Sequence, residues 1–190
     1  MRRMEHQRQP FLFASRGFTW VEILVTLAIL GVLSAMGAPG LRALVEQRNV
    51  STQAGALADA LRLTRTEAVK RRQRVTICNT QDADAAKPVC ATASTNWSTG
   101  WLIFADANGN KVREAHETLL HIQQALTQTV GLTLAHSKPA ITFGGMGMAV
   151  ANNASFLVHP MSESKSTSST APRCVRLAVS GRVRVMQGAC

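Results

Sequence analysis

The C-terminal end of the chain carries residues whose chemistry suits phosphate binding. The last eighteen residues contain no acidic side chain and hold four arginines, Arg173, Arg176, Arg182 and Arg184. In an extended strand, Arg182 and Arg184 lie on one face about 6.6 Å apart, because each residue advances the strand by about 3.3 Å. Planar guanidinium groups at this spacing can each contact a phosphate of one nucleic-acid strand. A solvated strand face without any ligand is the alternative interpretation.

The four cysteines form two pairs that are local in sequence. Cys78 and Cys90 enclose a polar loop, and Cys174 and Cys190 enclose the final hairpin. Three pairings are possible, and the local one is favoured because each bridge then ties a loop to its neighbouring strand, worth about 3 kcal/mol in the chain-entropy model. C-x2-C spacing is absent, which disfavours zinc and thioredoxin-like redox sites. Structural disulfides indicate a compartment outside the cytoplasm.

Motifs for other chemistry are few. The sequence contains neither a nucleophile elbow nor a phosphate-binding G-x-x-x-x-G-K-[ST] loop, so we do not expect an enzyme or a motor ATPase. Asp106, Asn108 and Asn110 partly match a calcium loop. We expect the later bidentate glutamate of an EF-hand to be missing, and therefore expect no metal or other cofactor.

Composition limits the class of protein further. The 190 residues carry 21 Lys and Arg against 11 Asp and Glu, a formal net charge of +10, which favours polyanionic partners. Hydrophobic residues make up 46%, which excludes a disordered tail. Aromatic residues make up 5% and tyrosine is absent, so a surface that stacks on nucleic-acid bases is not expected.

The N-terminal segment is organised as a basic leader and an apolar helix. Residues 1–17 carry four arginines and one acid, whereas residues 18–41 contain one ionisable side chain, Glu22. A helix of that length reaches about 36 Å, enough to cross a hydrocarbon core of about 30 Å. Arginines before the span place the leader in the cytoplasm and the rest of the chain outside. We therefore predict a single-pass inner-membrane helix over residues 18–41.

The segment from Gly17 to Leu24, GFTWVEIL, resembles the class III signal of type IV pilins and pseudopilins. The resemblance implies that a prepilin peptidase cleaves after Gly17 and methylates the new amine of Phe18. It also implies that Glu22 pairs with the methylated amine of a neighbouring subunit and sets its register in a filament. The implied partners are the prepilin peptidase, other pilins or pseudopilins, and the inner membrane.

The remaining chain is predicted to be a helix followed by strands. Over residues 42–73 the helix continues as an amphipathic one, whose apolar stripe comprises Val50, Ala54, Leu57, Leu61 and Ala68. A basic cluster of Lys70, Arg71, Arg72 and Arg74 suits the C-terminal end of this helix. Period-two patterns and turn signals predict a β-rich periplasmic head over residues 74–190, with strands at 74–79, 100–105, 118–123, 130–136, 140–143, 155–159, 173–179 and 182–186. The expected fold class is α+β.

This head resembles the GspH/FimT branch of minor pilins and pseudopilins. Residues 97–106 fit its W-x-x-G-W-x-x-F-x-D pattern, and residues 176–185 resemble its closing hairpin. Residues 181–184 match the G-R-x-R motif that FimT members use for DNA binding in natural transformation. The resemblance implies a type IV pilin-like fold and a filament subunit, with double-stranded DNA as a further partner. The alternative is a structural type II secretion pseudopilin that helps to initiate or cap the pseudopilus and binds no DNA.

Overall fold

The computed structural model of the chain describes residues 17–126, 130–134, 139–150, 153–161 and 170–190, with only the backbone described for 35–40 and 42–43. Residues 1–16 of the predicted leader lie outside these ranges. The described residues form one helix and eight strands: α1 (Trp20–Arg71), β1 (Val75–Asn79), β2 (Trp101–Ala105), β3 (Leu119–Gln123), β4 (Val130–Leu134), β5 (Ala140–Phe143), β6 (Ala154–Pro160), β7 (Arg173–Leu177) and β8 (Val183–Gln187).

The chain divides into two compact units, Met1–Pro39 and Gly40–Cys190. In the first unit, α1 begins after Thr19, whose Oγ1 accepts a hydrogen bond from the Glu22 backbone N–H at 3.2 Å. A threonine followed three residues later by glutamate is an N-terminal capping pattern. None of the helices among the described residues meets the length and apolarity needed to cross a membrane. The transmembrane span over residues 18–41 stays a prediction.

In the second unit, α1 contributes a buried stripe to the core. Val50, Ala54, Leu57, Leu61 and Ala68 are all buried, which confirms the amphipathic pattern predicted for this part of the helix. These residues recur at helical spacing, so they line one face of the helix. The helix ends where Arg72 adopts a left-handed conformation with φ of 52°. The Gln73 N–H then donates to the Ala68 carbonyl.

The strands form two antiparallel four-stranded sheets. The first has the order β3-β2-β1-β5 and the second the order β4-β6-β7-β8. Their inner faces share one hydrophobic core with the helix stripe. In that core, Trp97 meets Phe156 edge to face with ring centroids 5.0 Å apart. All eight strands predicted from the sequence are present, with ends that differ by at most two residues within the described part of the chain.

A second, smaller core covers the outer face of the first sheet. Cys78, Leu102, Phe104 and Ala140 are buried there, with Cys90, Leu119 and Ile122 packed against them. Strands β1, β2 and β5 are consequently buried along their whole length. Strands covered on both faces lose the alternation of apolar and polar residues, which explains the continuous apolar run of β2.

Candidate functional site

The predicted hairpin is formed by β7 and β8, and its register decides which arginines share a face. Arg176 lies directly opposite Arg184, and Leu177 lies opposite Val183. Directly opposed residues of an antiparallel pair project from the same face. Arg182 precedes β8, where its carbonyl accepts a hydrogen bond from the Ala178 N–H at 3.0 Å. Alternation places Arg182 on the same face as Arg184.

The fourth arginine of the predicted set lies elsewhere. Arg173 is paired with Gln187 at the far end of the hairpin. It precedes Arg176 by three residues, so strand alternation directs the two side chains to opposite faces. Arg173 is half-buried, whereas Arg176, Arg182 and Arg184 are exposed. We refer to these three exposed residues as the hairpin arginines.

The inner face of the same hairpin explains their orientation. Val175 and Leu177 are fully buried, and Val183 packs against the core. Because successive side chains of a strand point to opposite faces, burial of these apolar residues turns the arginines between them towards solvent. Strand β8 is also an edge strand, since it pairs with β7 alone in its sheet. Within the described part of the chain, one side of the basic hairpin is therefore free of other strands.

The turn of the hairpin is held in a defined position. The Gly181 N–H donates to the Ala178 carbonyl at 2.8 Å, and the Ala149 N–H donates to the Val179 carbonyl at 2.9 Å. Gly181 has φ of 78°, a left-handed conformation that glycine adopts at low cost. These bonds tie the start of β8 to the segment that follows β5, so the backbone at Arg182 is anchored.

An arginine of the helix adjoins this turn, a contact that no periodic sequence pattern predicts. A Cβ built on Gly181 would lie 2.9 Å from the Arg65 Nε, and one built on Gly147 would lie 3.1 Å from the same atom. Arg65 is exposed and lies outside the buried stripe of α1. The guanidinium of Arg65 thus lies next to the residue that precedes Arg182. The glycines at 147 and 181 are the sequence signal for such a close approach.

The basic cluster at the end of α1 is largely engaged within the protein. Arg71 Nε lies 2.7 Å from Glu67 Oε2, and Lys70 Nζ lies 3.8 Å from Glu67 Oε1. Arg74 Nη1 donates to the Asn108 carbonyl at 3.4 Å. Arg72 is exposed and borders a groove of 580 Å³ that is lined otherwise by Val69 and residues 144–146 and 148–150. The cluster therefore offers fewer free cations than its sequence suggests.

Both disulfides adopt the local pairing that the sequence favours. Cys78 of β1 is bonded to Cys90, and Cys174 of β7 is bonded to Cys190. The described residues contain no free cysteine. Beyond β8, the Gly188 N–H donates to the Pro172 carbonyl at 2.8 Å and extends the pairing of the hairpin. The second bridge thus closes the C-terminus onto the strand that carries Arg176.

At the other end of the described chain, Gly17 and Phe18 precede the helix. The Phe18 side chain is 77% exposed. Glu22 is exposed in the first turn of α1, and its backbone N–H is the one capped by Thr19. A carboxylate in the first turn also interacts favourably with the helix dipole. Glu22 therefore has a local role in beginning the helix, in addition to the filament role that the resemblance implies.

A long N-terminal helix whose second half packs on antiparallel sheets defines the class of type IV pilin-like proteins. The family model described as type II transport protein GspH matches residues 53–181. This match covers more than half of the chain, and the chain belongs to the GspH family. No curated protein matches the sequence significantly.

One solved minor pilin shares this fold in two crystal forms. The type IV minor pilin FimU of Pseudomonas aeruginosa PAO1, crystallised in space group P21, is 19% identical with a TM-score of 0.56, over 75% of this chain and 92% of FimU. Its P65 crystal form is also 19% identical and has a TM-score of 0.52, over 72% of this chain and 91% of FimU. The minor pseudopilin EpsH of the Vibrio cholerae type 2 secretion system is 13% identical and has a TM-score of 0.49, over 73% of this chain and 97% of EpsH.

Family membership confirms the expected fold class and the resemblance found in the sequence. The protein is a minor pilin or pseudopilin, a structural subunit of a type IV pilus or a type II secretion filament. As a filament subunit it is not an enzyme. Its association with other pilins or pseudopilins follows from the same membership.

Proposed function

We propose that this filament subunit binds double-stranded DNA through the hairpin arginines, Arg176, Arg182 and Arg184. The observation that carries the proposal is their placement: three exposed guanidinium groups on one face of an edge hairpin, two of them directly opposite each other. Within the described residues, none of the three forms an ion pair with a carboxylate. Unpaired arginines on one face are suited to contact successive phosphates.

The energetics of the hairpin support a ligand. Like charges directly opposite one another in a sheet are destabilising, and Arg176 and Arg184 stand in that arrangement. The hairpin and its C-terminal extension contain no acidic residue that could offset the repulsion. A bound polyanion removes this cost, because each guanidinium then faces a phosphate. Arg65, beside the turn, adds a fourth cation from the helix.

The expected mode of binding is contact with the DNA backbone. A short edge hairpin presents its arginines on a strand face, and no tyrosine is available to stack on bases. Phosphate contact alone gives a Kd of about 10⁻⁴–10⁻⁶ M at physiological salt and little sequence preference. Three or four neutralised phosphates give a log–log salt dependence with a slope of about −2.7 to −3.6.

We also propose the membrane arrangement expected of the family signal. In this proposal residues 1–17 are the leader, residues 18–41 cross the inner membrane, residues 42–73 continue the helix and residues 74–190 form the periplasmic head. Large apolar side chains at the start of α1 support it, since Trp20 is 76% and Leu27 59% exposed and both need an apolar environment. The filament role of Glu22 and the methylation of Phe18 belong to the same proposal.

A second function is favoured by one specific observation. Positive side chains on an edge strand protect it from pairing with other strands, and β8 is such a strand. In that case the hairpin arginines only keep the head soluble. The protein is then a structural pseudopilin that helps to start or cap a type II secretion pseudopilus without binding DNA.

The experiment is a DNA-binding titration with the full chain in a nonionic detergent. Fluorescence anisotropy with two labelled duplexes of unrelated sequence should show binding to both at low salt. Arg182→Gln with Arg184→Gln should remove most of it, because both side chains point outward and the fold is kept. Arg48→Gln with Arg62→Gln is the matched control, since both residues are exposed on α1 and the charge change is the same. This control should retain binding.

Two outcomes count against the proposal. Loss of binding in Lys70→Gln with Arg72→Gln, together with retention in the hairpin double variant, would move the site to the end of α1. Absence of binding by the parent protein at low salt would leave the structural pseudopilin as the function. Circular dichroism of each variant verifies that the head is folded.

A further inference from the structure

The loop that follows β2 has the ligand spacing of a calcium-binding loop. Asp106 occupies its first position, and Asn108 and Asn110 occupy the third and fifth. The expectation that a later glutamate is missing is wrong, because Glu117 is the twelfth residue counted from Asp106. An EF-hand loop draws its oxygen ligands from positions 1, 3, 5, 7, 9 and 12. Position 7 contributes a backbone carbonyl, and position 9 here is Glu114.

Hydrogen bonds turn the side-chain oxygens towards the inside of this loop. Asp106 Oδ1 accepts the Gly109 N–H at 2.7 Å, and Asp106 Oδ2 accepts the Lys111 N–H at 3.2 Å. Asn108 Oδ1 accepts the Asn110 N–H at 3.0 Å. Asp106 Oδ2 also accepts the Thr76 hydroxyl at 2.6 Å, so both of its lone pairs are used. Asp106 Oδ1 and Asn108 Oδ1 each accept one bond and can therefore also coordinate a cation.

The backbone at the sixth position supports the same loop type. Lys111 has φ of 64°, a conformation that glycine adopts without strain and other residues adopt at a cost. EF-hand loops have an invariant glycine at this position because the chain makes a sharp turn there. The chain makes the turn here with lysine in place of glycine.

Glu117 supplies an observation that is independent of the loop geometry. Its side chain is buried, with the residue only 6% exposed. Oε2 accepts the Glu114 N–H at 3.0 Å, which directs the carboxylate back into the loop, whereas Oε1 is buried without any hydrogen-bond partner. Among the described residues, no basic side chain forms an ion pair with it. A buried carboxylate oxygen without a donor is costly, and a cation is a partner that removes the cost.

The ninth position completes the set of oxygens. The Glu114 carboxylate accepts hydrogen bonds from the side-chain amides of Asn108 and Asn110, each at 3.1 Å. His116 Nε2 lies 3.4 Å from Glu114 Oε2. Across the described ranges, no three or more His, Cys, Asp or Glu side chains form a group that could hold a metal ion, so amide and backbone oxygens must supply most of the ligands. The donor set is a mixture of carboxylate, amide and backbone oxygens, which suits a hard cation rather than zinc.

We propose that residues 106–117 form a Ca²⁺ site, with Asp106, Asn108, Asn110, the Val112 carbonyl and Glu117 as oxygen ligands and with Glu114 acting through a water molecule. Calcium accepts six to eight oxygens in flexible geometry, whereas Mg²⁺ demands a near-ideal octahedron and keeps its waters. Arg74, which donates to the Asn108 carbonyl, and Lys111 bring positive charge close to the loop. Both lower the affinity, so we expect a Kd of about 10⁻⁴–10⁻³ M, the range of extracellular calcium modules.

The test uses the full chain in nonionic detergent after removal of metals with EDTA. Titration calorimetry with CaCl₂ should give one bound ion per chain, and the melting temperature should rise with the Ca²⁺ concentration. MgCl₂ at the same concentrations should give far smaller effects. The proposal is overturned if Ca²⁺ neither binds nor shifts the melting temperature. It is also overturned if Mg²⁺ acts equally well.

Variants assign the effect to this loop. Glu117→Gln should lower the Ca²⁺ affinity at least tenfold, while Asp84→Asn, which changes an exposed acid in another loop, should not change it. Lys111→Gly should raise the affinity, because it removes a positive charge and relieves the left-handed backbone. This gain does not depend on whether Glu117→Gln folds. Unchanged affinity in both Glu117→Gln and Lys111→Gly would place the ion elsewhere and overturn the assignment.

Discussion

Asp106 illustrates how much one buried side chain can organise in this head. Besides the two backbone donors of its own loop, Asp106 Oδ2 accepts the Thr76 hydroxyl at 2.6 Å. The Thr76 hydroxyl oxygen lies 2.7 Å from that of Thr142. A hydroxyl has one proton, so Thr76 donates to Asp106 and Thr142 donates to Thr76. These two hydrogen bonds thus join β1, β5 and the end of β2 inside the protein.

Glu67 gives a prediction at the scale of single residues. The hydrogen bond from Arg71 Nε, with the charges of Lys70 and Arg71, lowers the pKa of the Glu67 carboxyl from its ordinary value of 4.5, although burial acts in the opposite direction. A lowered pKa stabilises the folded state above the unfolded value, and this stabilisation is lost as pH falls through the folded pKa. Glu67→Gln should therefore cost about 0.5 kcal/mol at pH 7.

The difference between Glu67→Gln and the parent should vanish in acid, below the lowered pKa. Denaturant unfolding monitored by the fluorescence of the buried Trp97 and Trp101 measures it at a series of pH values. A double-mutant cycle with Arg71→Gln should show coupling, since the two side chains are in contact. A cost that is independent of pH would contradict the electrostatic explanation.

At the scale of elements, the second half of α1 shows what an amphipathic stripe achieves. In the 52-residue helix, backbone hydrogen bonding is the same on every face, so the side chains decide which face is buried. Burial of a few small and branched residues against both sheets provides the preference for one face. Alanines at positions 54, 58 and 68 are buried with Leu57 and Leu61, and all five belong to the core that the helix shares with the two sheets. The helix is therefore held by packing more than by its intrinsic propensity.

Leu57 and Leu63 test this packing directly. Leu57 is fully buried, whereas Leu63 is 40% exposed on the same helix. Leu57→Ala should lower the free energy of unfolding by about 2–5 kcal/mol, because it removes core contacts and leaves a cavity. Leu63→Ala should stay within about 0.5 kcal/mol. Equal costs, measured by denaturant unfolding, would show that this face of α1 does not carry the core.

The C-terminal hairpin shows both the reach and the limit of strand alternation. Alternation correctly predicts that Arg182 and Arg184 share a face. It also places Arg173 and Arg176 on opposite faces. Of the four arginines near the C-terminus, three therefore share one face, and Arg173 lies at the far end of the hairpin. The pairing of Arg176 with Arg184 depends on the register of the hairpin, which the turn at residues 178–182 determines.

For the whole molecule, the prediction concerns the maturation of the N-terminus. The proposed signal requires cleavage between Gly17 and Phe18 and methylation of the Phe18 amine, because cleavage there retains the apolar helix. Mass spectrometry of protein isolated from filaments should find methylated Phe18 as the first residue. An intact Met1, or a first residue beyond position 41, would contradict the membrane arrangement.

Glu22→Ala separates maturation from assembly. Its product should still be cleaved and methylated, because the bond between Gly17 and Phe18 is unchanged, but it should enter filaments poorly. Glu22→Gln is the matched control. Both variants keep the backbone N–H that donates to Thr19 Oγ1, so neither removes the N-terminal cap of the helix. Normal incorporation of Glu22→Ala would remove the filament role proposed for this carboxylate.

By itself, the sequence determined the elements and most of what they bury. The stripe of α1 and the eight strands follow from short periodic patterns, and such patterns exist because burial repeats every 3.6 residues in a helix and every two in a strand. The two disulfide pairs follow from the closeness of their cysteines in the sequence. The tertiary structure alone decided which distant residues meet. Arg65 at Gly181, Thr76 between Asp106 and Thr142, and the unpaired oxygen of Glu117 depend on strand order and loop closure. These contacts join residues far apart in the chain or depend on what the fold covers, so no local pattern records them.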